Sequence, residues 1–232
     1  MKKELEALLA VQAQDTRIRA LEEKIQRILK QRQQLQATVE AEAKTLEAEK
    51  HKLADLERLS RERNAAVDDL DSQIRKYQQQ LEGGLVSFKE MESLRELVQH
   101  SRERIEKLEE EAISLMDQVV KESEAMVQRE GSFSQWKGRM DEEIAEVDRE
   151  LEEQRRKIDG ERMKRQALAE QVDAALFERY ERLLAEYEDP LASVRDGRCT
   201  SCNLQLSEIT IERVREGLDI LTCENCLRIL YS

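Results

Sequence analysis

The stretch IRKYQQQLEGGLVSFKEM, residues 74–91, decides how this chain is read. Up to Leu81 it is the end of a heptad pattern, and at Glu82-Gly83-Gly84 that pattern stops. Two glycines end a helix at low cost, because glycine enters left-handed φ/ψ freely. A new start follows at Ser87-Phe88-Lys89-Glu90, an S-x-x-E capping box. The Ser87 hydroxyl can accept from the Glu90 N–H, and the Glu90 carboxylate from the Ser87 N–H. Val86 and Met91 stand at the two positions of a hydrophobic staple. The pattern predicts a tight reversal over residues 82–87.

Backward from the reversal, residues 11–81 fall into one register. Position a holds Val11, Ile18, Ile25, Arg32, Val39, Leu46, Leu53, Ser60, Val67, Ile74 and Leu81. Position d holds Gln14, Leu21, Ile28, Leu35, Glu42, Glu49, Leu56, Arg63, Leu70 and Tyr77. Fifteen of these 21 positions are apolar and no proline or glycine interrupts them, which demands a helix with a partner helix. Forward from the reversal, Met91, Val98, Ile105, Ala112, Val119, Met126, Phe133 and Met140 form a second a row. Its d row mixes Leu94, Leu108, Leu115 and Trp136 with Ser101, Glu122 and Arg129. Beyond Met140 the apolar row slips by four residues to Ile144, Val147, Leu151 and Ile158, a stutter. Gly131 and Gly138 flank it, so a local bend or unwinding is expected near Trp136. Two long helices joined by a short turn make an antiparallel hairpin.

Composition agrees. Of the 232 residues, 39% are charged, against about 25% in an average globular protein. Ala, Glu, Lys, Arg and Leu make up 54%, and aromatics only 3%. A compact enzyme of this length needs more apolar and aromatic residues for one large core. The longest apolar stretch near the N-terminus, Ala7–Val11, is too short for a secretory signal, and no run reaches membrane-span length. A cytoplasmic protein is expected. The net charge of −12 argues against general binding to a phosphate backbone.

Gly160 marks a further interruption. Val172, Leu176, Tyr180, Leu183 and Tyr187 then form an amphipathic helix, with Asp173 as its cap and Pro190 as its end. From Leu191 the composition changes. Ala192–Arg198 and Leu218–Thr222 read as short strands. Residues 207–216 read as a helix, capped by Ser207 and stopped by Gly217. The domain reading is therefore residues 1–190 for the coiled-coil hairpin with a terminal helix, and residues 191–232 for a small β-rich unit. Some forty residues cannot bury an adequate core without a staple.

All four cysteines lie in that small unit, as Cys199-x2-Cys202 and Cys223-x2-Cys226. Each C-x-x-C places two thiolates on one tight turn, and two such turns complete a tetrahedron of sulfur around one ion. A closed four-thiolate shell is a structural site, and ligation supplies the folding energy that a small core lacks. Zinc, one ion per chain, is the reading. Iron has the same ligand set and remains the lesser alternative. Two disulfides suit a reducing compartment poorly, and a redox C-x-x-C needs a βαβ unit that the pattern lacks. No nucleophile–base pair or glycine-rich phosphate loop occurs, so no enzyme is expected.

Residues 191–232 carry five arginines against six carboxylates, which leaves no clear basic patch. Arg195 and Arg198 beside Cys199, with Arg228 beyond Cys226, form the one candidate cationic edge. Protein partners are favoured over nucleic acid. At the reversal, Leu85 and Phe88 are a candidate docking pair, set against the plainer reading that both fold onto Tyr77 and Leu81. Homo-oligomers are compatible with the heptads.

The long heptad hairpin, the paired C-x2-C motifs, the ending Cys226-Leu227-Arg228-Ile229-Leu230-Tyr231 and the segment Val86-Ser87-Phe88-Lys89-Glu90-Met91 together resemble the bacterial C4-type zinc-ribbon coiled-coil family. The resemblance spans essentially the whole chain. It implies a mainly α fold, a long antiparallel coiled-coil hairpin with a small C-terminal β-rich zinc ribbon, and a non-enzymatic cytoplasmic protein. Relatives are connected with flagellar gene regulation, an alternative sigma factor, type III secretion and, in one case, messenger RNA. From these follow the expectation of an adaptor or chaperone-like protein and the alternative of an RNA- or DNA-binding regulator. Leu227 departs from the family, which has glycine there, and glycine suits the positive φ that often follows a knuckle cysteine.

Overall fold

The computed structural model describes residues 2–84 and 87–232. Helix α1 spans Lys2–Glu82 and helix α2 spans Phe88–Ala169. They are followed by α3 (Ala174–Glu186), β1 (Leu191–Arg195), β2 (Arg198–Cys199), α4 (Glu208–Glu216) and β3 (Ile229–Tyr231). The protein is therefore mainly α, a long helical hairpin with a small C-terminal strand region that holds the four cysteines. Among the described residues, no helix is long and apolar enough to cross a membrane.

The reversal is built as the capping chemistry requires. Gly84 has φ +66°, the Ser87 N–H donates to the Glu90 carboxylate at 2.8 Å, and the Glu90 N–H reaches the Ser87 hydroxyl at 3.4 Å. These bonds to the charged form hold the Glu90 carboxyl below its ordinary range. The staple partner Val86 and the candidate docking residue Leu85 lie outside the described residues.

Every a and d position of α1 from Val11 to Leu81 is buried or half-buried. Four of the six polar exceptions, all but Gln14 and Ser60, pair with the opposite helix. Arg32 bonds Asp148 at 2.6 Å, Arg63 pairs with Glu111 at 3.0 Å, and Arg129 bonds both Glu42 and Glu49. Such pairs add little stability when exposed; a polar side chain within a coiled-coil seam instead fixes which turn meets which. On α2 the register departs from expectation at one place, where Glu122 is exposed and Ser123 turns inward. A carboxylate without a seam partner is hydrated more cheaply than buried. The stutter appears as expected, with Met140 and Ile144 half-buried and Val147, Leu151 and Ile158 buried.

The expected unwinding near Trp136 does not occur: α2 is unbroken through Gly131, Gly138 and Gly160. Nothing lies within 4 Å of a Cβ built at Gly131 or Gly138. Each glycine costs about 1 kcal/mol relative to alanine in a helix interior. The double variant Gly131→Ala/Gly138→Ala is therefore expected to unfold at a midpoint roughly 4–8 °C higher by calorimetry. An unchanged midpoint would show that these glycines carry no helix penalty.

The chain divides into two compact units, Met1–Gln34 with Ile144–Ser232, and Leu35–Glu143. In the first, one apolar core joins Leu8 and Val11 of α1, Val172, Tyr180 and Leu183 around α3, and Leu191 and Ile229 of the strands. Asp173 caps α3, its carboxylate accepting from the Ala175 and Leu176 N–H groups. β1 is the central strand, antiparallel to β2 and parallel to β3. Asp196 and Gly197, both at positive φ, turn β1 into β2. The strand expected over Leu218–Thr222 is absent, reduced to a single bridge from Thr222 to Ile229, and the third strand is the Ile229–Tyr231 segment instead. The helix α4 is as expected, with Ser207 at its N-cap and Gly217 at φ +66° as its stop.

Candidate metal centre

Strand periodicity places the cysteines. Side chains of β1 and β3 alternate between two faces: Leu191 and Ile229 join the core with α3, while Ala192 and Leu230 join a second core. That second core holds Cys199, Cys223 and Cys226 with Leu206 and Val214, and Cys202 packs against it. The four sulfur atoms all lie within 4.8 Å of one another. Cys199 and Cys226 are 3.9 Å apart and Cys202 and Cys223 are 3.6 Å apart, with all four thiols free. Four sulfurs placed 2.3 Å from one tetrahedral ion are about 3.8 Å apart, so the cluster has the size of a four-thiolate metal site.

The two C-x-x-C turns repeat the same hydrogen bonds. The Cys199 N–H donates to the Leu204 carbonyl and the Cys223 N–H to the Arg228 carbonyl. The Asn203 N–H returns to the Cys199 carbonyl at 2.8 Å, and the Leu227 N–H to the Cys223 carbonyl at 3.0 Å. The residue four beyond each first cysteine is left-handed, Asn203 at φ 60° and Leu227 at φ 61°. These turns aim backbone N–H groups at sulfur. Cys199 accepts from Ser201 and Cys202, and Cys223 from Asn225 and Cys226.

Two effects compete at each thiol. Burial dominates at Cys223 and pushes it up to about 12, and it likewise raises Cys199. At Cys202 the Leu204 N–H dominates and lowers the thiol to about 7. Burial thus holds Cys199 and Cys223 in the thiol form until a cation displaces the protons, while Cys202 is the readier thiolate. The donor set therefore suits a thiophilic metal ion, with Cys199, Cys202, Cys223 and Cys226 as its four ligands and no fifth side chain among the described residues of the cluster. Glu224, between the two cysteines of the second turn, accepts from the Ser207 and Thr210 hydroxyls and ties the start of α4 to that turn. Sequence pattern did not reveal this tie, because it links residues in separate elements.

Leucine at φ 61° is strained by roughly 1–2 kcal/mol, and Leu227 is 60% exposed, so its side chain regains little of this by burial. After the entropy penalty of glycine, Leu227→Gly is expected to stabilise the metal-bound ribbon by about 0.5–1 kcal/mol. The readout is slower release of metal to a chelator. Faster release would show that the exposed leucine holds the turn.

A family profile described as the CT398-like coiled coil hairpin domain matches residues 11–188. The chain belongs to this family. CT398 from Chlamydia trachomatis shares the fold at a TM-score of 0.85, with 21% identity over 100% of this chain and 98% of that one. A Mycobacterium smegmatis structure gives a TM-score of 0.77 with 18% identity over 100% of this chain and 98% of that one. HP0958 from Helicobacter pylori gives 0.58 with 20% identity over 99% of this chain and 97% of that one. No curated protein sequence matches the chain.

On this CT398-like hairpin the other candidate residues are placed as follows. Phe88, at the start of α2, is 78% exposed and so does not fold onto the last heptad of α1. Arg195 and Arg198 are exposed and are register partners between β1 and β2, and Arg198 donates to the Asn203 carbonyl. Arg228 is committed inward rather than to a free cationic edge. Its guanidinium sits 3.9 Å from the Tyr187 ring centroid, and its Nε donates to the Asp189 carbonyl at 2.9 Å. Parallel pairing of β3 with β1 starts at Leu191, which brings Arg228 to the exit of α3.

Proposed function

We propose that this protein is a non-enzymatic, zinc-binding coiled-coil adaptor of chaperone-like type that presents docking surfaces to protein partners. The observation that carries this reading is the four-thiol cluster, with the dimensions of one tetrahedral zinc site and no open ligand position. Zinc there is structural: it welds the two turns and leaves the surfaces to do the binding. Exposed Phe88 at the hairpin reversal supports docking at that end, because a large apolar side chain left in water beside a designed turn has no folding role. The resemblance to zinc-ribbon coiled-coil proteins supports reading such an adaptor as one acting in the cytoplasm, in regulation of transcription, flagella or secretion.

The alternative is a ribbon that binds RNA or DNA. It is weakened by the loss of Arg228 to Tyr187 and Asp189, which leaves Arg195 and Arg198 as the exposed pair. An affinity pull-down from the native cells, repeated after nuclease treatment and across a salt series, separates the two. The adaptor reading expects protein partners that survive nuclease and that are lost on Phe88→Ser. Partners lost to nuclease, or binding that collapses steeply with salt, would replace it with the nucleic-acid reading. Elemental analysis under reducing conditions is expected to find one zinc per chain, and metal-free protein with an ordered ribbon would refute that assignment.

A further inference from the structure

A two-helix hairpin needs one apolar seam on each helix, and α2 carries a second one. Ile113, Met116, Val120 and Val127 are 62%, 52%, 57% and 69% exposed. Their spacing of three, four and seven residues sets them on one face. From first to last they cover about 21 Å, four turns of helix. Beside Met116 and Val120 runs a groove of about 280 Å³, walled on α1 by Glu57, Ser60 and Arg61. Ser60 is buried at an a position, where its small side chain leaves the seam narrow and the groove open.

The borders of this face are acidic. Between Glu106 and Glu130, α2 has eight carboxylates against three basic side chains. Glu111 and Glu130 are used by Arg63 and Lys50, and Arg129 is used by Glu42 and Glu49. Glu106, Glu109, Glu110, Asp117 and Glu124, on or beside this face at about 100° per residue, are exposed and have no ion-pair partner among the described residues, while the two lysines Lys107 and Lys121 lie farther round the helix.

We propose that this face of α2 is a docking site for a basic amphipathic helix of a partner protein. The apolar row takes the partner's aliphatic stripe, and the unpaired carboxylates take its flanking Lys and Arg side chains. A second copy of this chain is the wrong occupant, because it would set the same acidic borders against each other. An anionic membrane surface is repelled for the same reason. The inference rests on the adaptor reading and names one surface and one partner class for it.

The test uses the full metal-loaded chain and synthetic 21-residue helices. One peptide has leucines at heptad a and d with lysines on the flanks, and its counterpart replaces every lysine by glutamate. Fluorescence anisotropy is expected to show saturable binding of the Leu–Lys helix and none of the Leu–Glu helix. Val120→Ser/Val127→Ser is expected to weaken binding about a hundredfold, the scale of losing two valines' burial. Glu109→Gln/Glu110→Gln/Glu124→Gln is expected to weaken it and to flatten its salt dependence. All of these side chains are exposed, and circular dichroism checks that each variant folds. No saturable binding of the Leu–Lys helix, equal binding of the Leu–Glu helix, or binding indifferent to the valine substitutions overturns the assignment of this face. Sedimentation showing a dimer that the valine substitutions dissolve gives the face to a second copy and equally overturns it. In each case protein partners captured through Phe88 would leave the adaptor reading standing, while their absence together with intact peptide binding would sink that reading alone.

Discussion

Cys223→Ser is expected to unfold the strand region while most of the helical signal of α1 and α2 survives. The region has about forty residues, and a core of that size does not hold without a staple. Metal bound by four thiolates supplies on the order of 10–16 kcal/mol of folding free energy, far more than the rest of the region can offer. Loss of one thiol also leaves three sulfurs, among them the buried Cys199 with its Ser201 and Cys202 N–H groups and the buried Cys226, unable to close a four-thiolate shell. The damage does not stop at the cysteines. Leu191 and Ile229 share a core with Leu8, Val11 and Tyr180, so the near end of the hairpin loosens as the strands leave. Hydrogen exchange read by mass spectrometry should accelerate across residues 191–231 and, more weakly, around Leu8–Val11 and Tyr180. Residues 35–143 form a separate compact unit and should be unaffected. Wild-type protection of the strands in the serine variant would rule out metal-dependent folding.

The second large effect is expected at Asp15. Its carboxylate accepts from the Tyr180 hydroxyl at 2.6 Å and from Arg165 Nε at 2.5 Å, and Arg165 also bonds Glu181 and lies over the Phe177 ring. Tyr180 is fully buried, and the side chains of Asp15 and Arg165 are only 10% and 22% exposed. Burial works against the Arg165 charge, but Asp15 and Glu181 outweigh it and hold the guanidinium firmly protonated. Burial, then the bond to Asp15, keeps the Tyr180 phenol protonated as well. Asp15→Ala strands a buried hydroxyl and takes one of two carboxylates from a mostly buried cation. The expected loss is about 3 kcal/mol in urea unfolding. Asp15→Asn keeps an acceptor and should lose less, and Tyr180→Phe, which removes one hydroxyl, about 1 kcal/mol. A loss below about 1 kcal/mol for the alanine variant would show that water replaces the carboxylate.

The hairpin was legible because its signals are local. A seam repeats every seven residues, and Gly84 with Ser87 and Glu90 signals the reversal within a single turn. The clustering of the four cysteines was legible because C-x-x-C is itself a turn, and two copies read as one tetrahedral set. What escaped depends on pairing across the chain. The polar a and d residues Arg32, Glu42, Glu49 and Arg63 are visible in sequence, but their partners Asp148, Arg129 and Glu111 are set by register. The Asp15–Arg165–Tyr180 cluster joins three helices through Asp15 and Arg165, which look like ordinary solvated charges in sequence, and through Tyr180, which reads only as part of an apolar stripe. Ile229–Tyr231 was missed as a strand because three residues show no period, and only the parallel partner β1 defines them. Leu218–Thr222 reads as a short strand in sequence, while its backbone makes only one bridge. The second apolar row on α2 was hidden because sorting residues by a and d discards what lies at other positions.

The alternation of β1 and β3 between two cores fixes where this chain tolerates changes in length. A one-residue insertion between Pro190 and Leu191, or between Arg228 and Ile229, would turn Leu191 or Ile229 toward the cysteines and Ala192 or Leu230 away from them. Neither core accepts the exchange, since one is built for bulky aliphatic groups against Tyr180 and the other closes around sulfur. The segment after α4 is free of this constraint, since Gly217 ends the helix there and Leu218 is 69% exposed. Natural or engineered insertions in this fold belong there, between the two pairs of cysteines, and a foreign loop placed at that point leaves both cores in register.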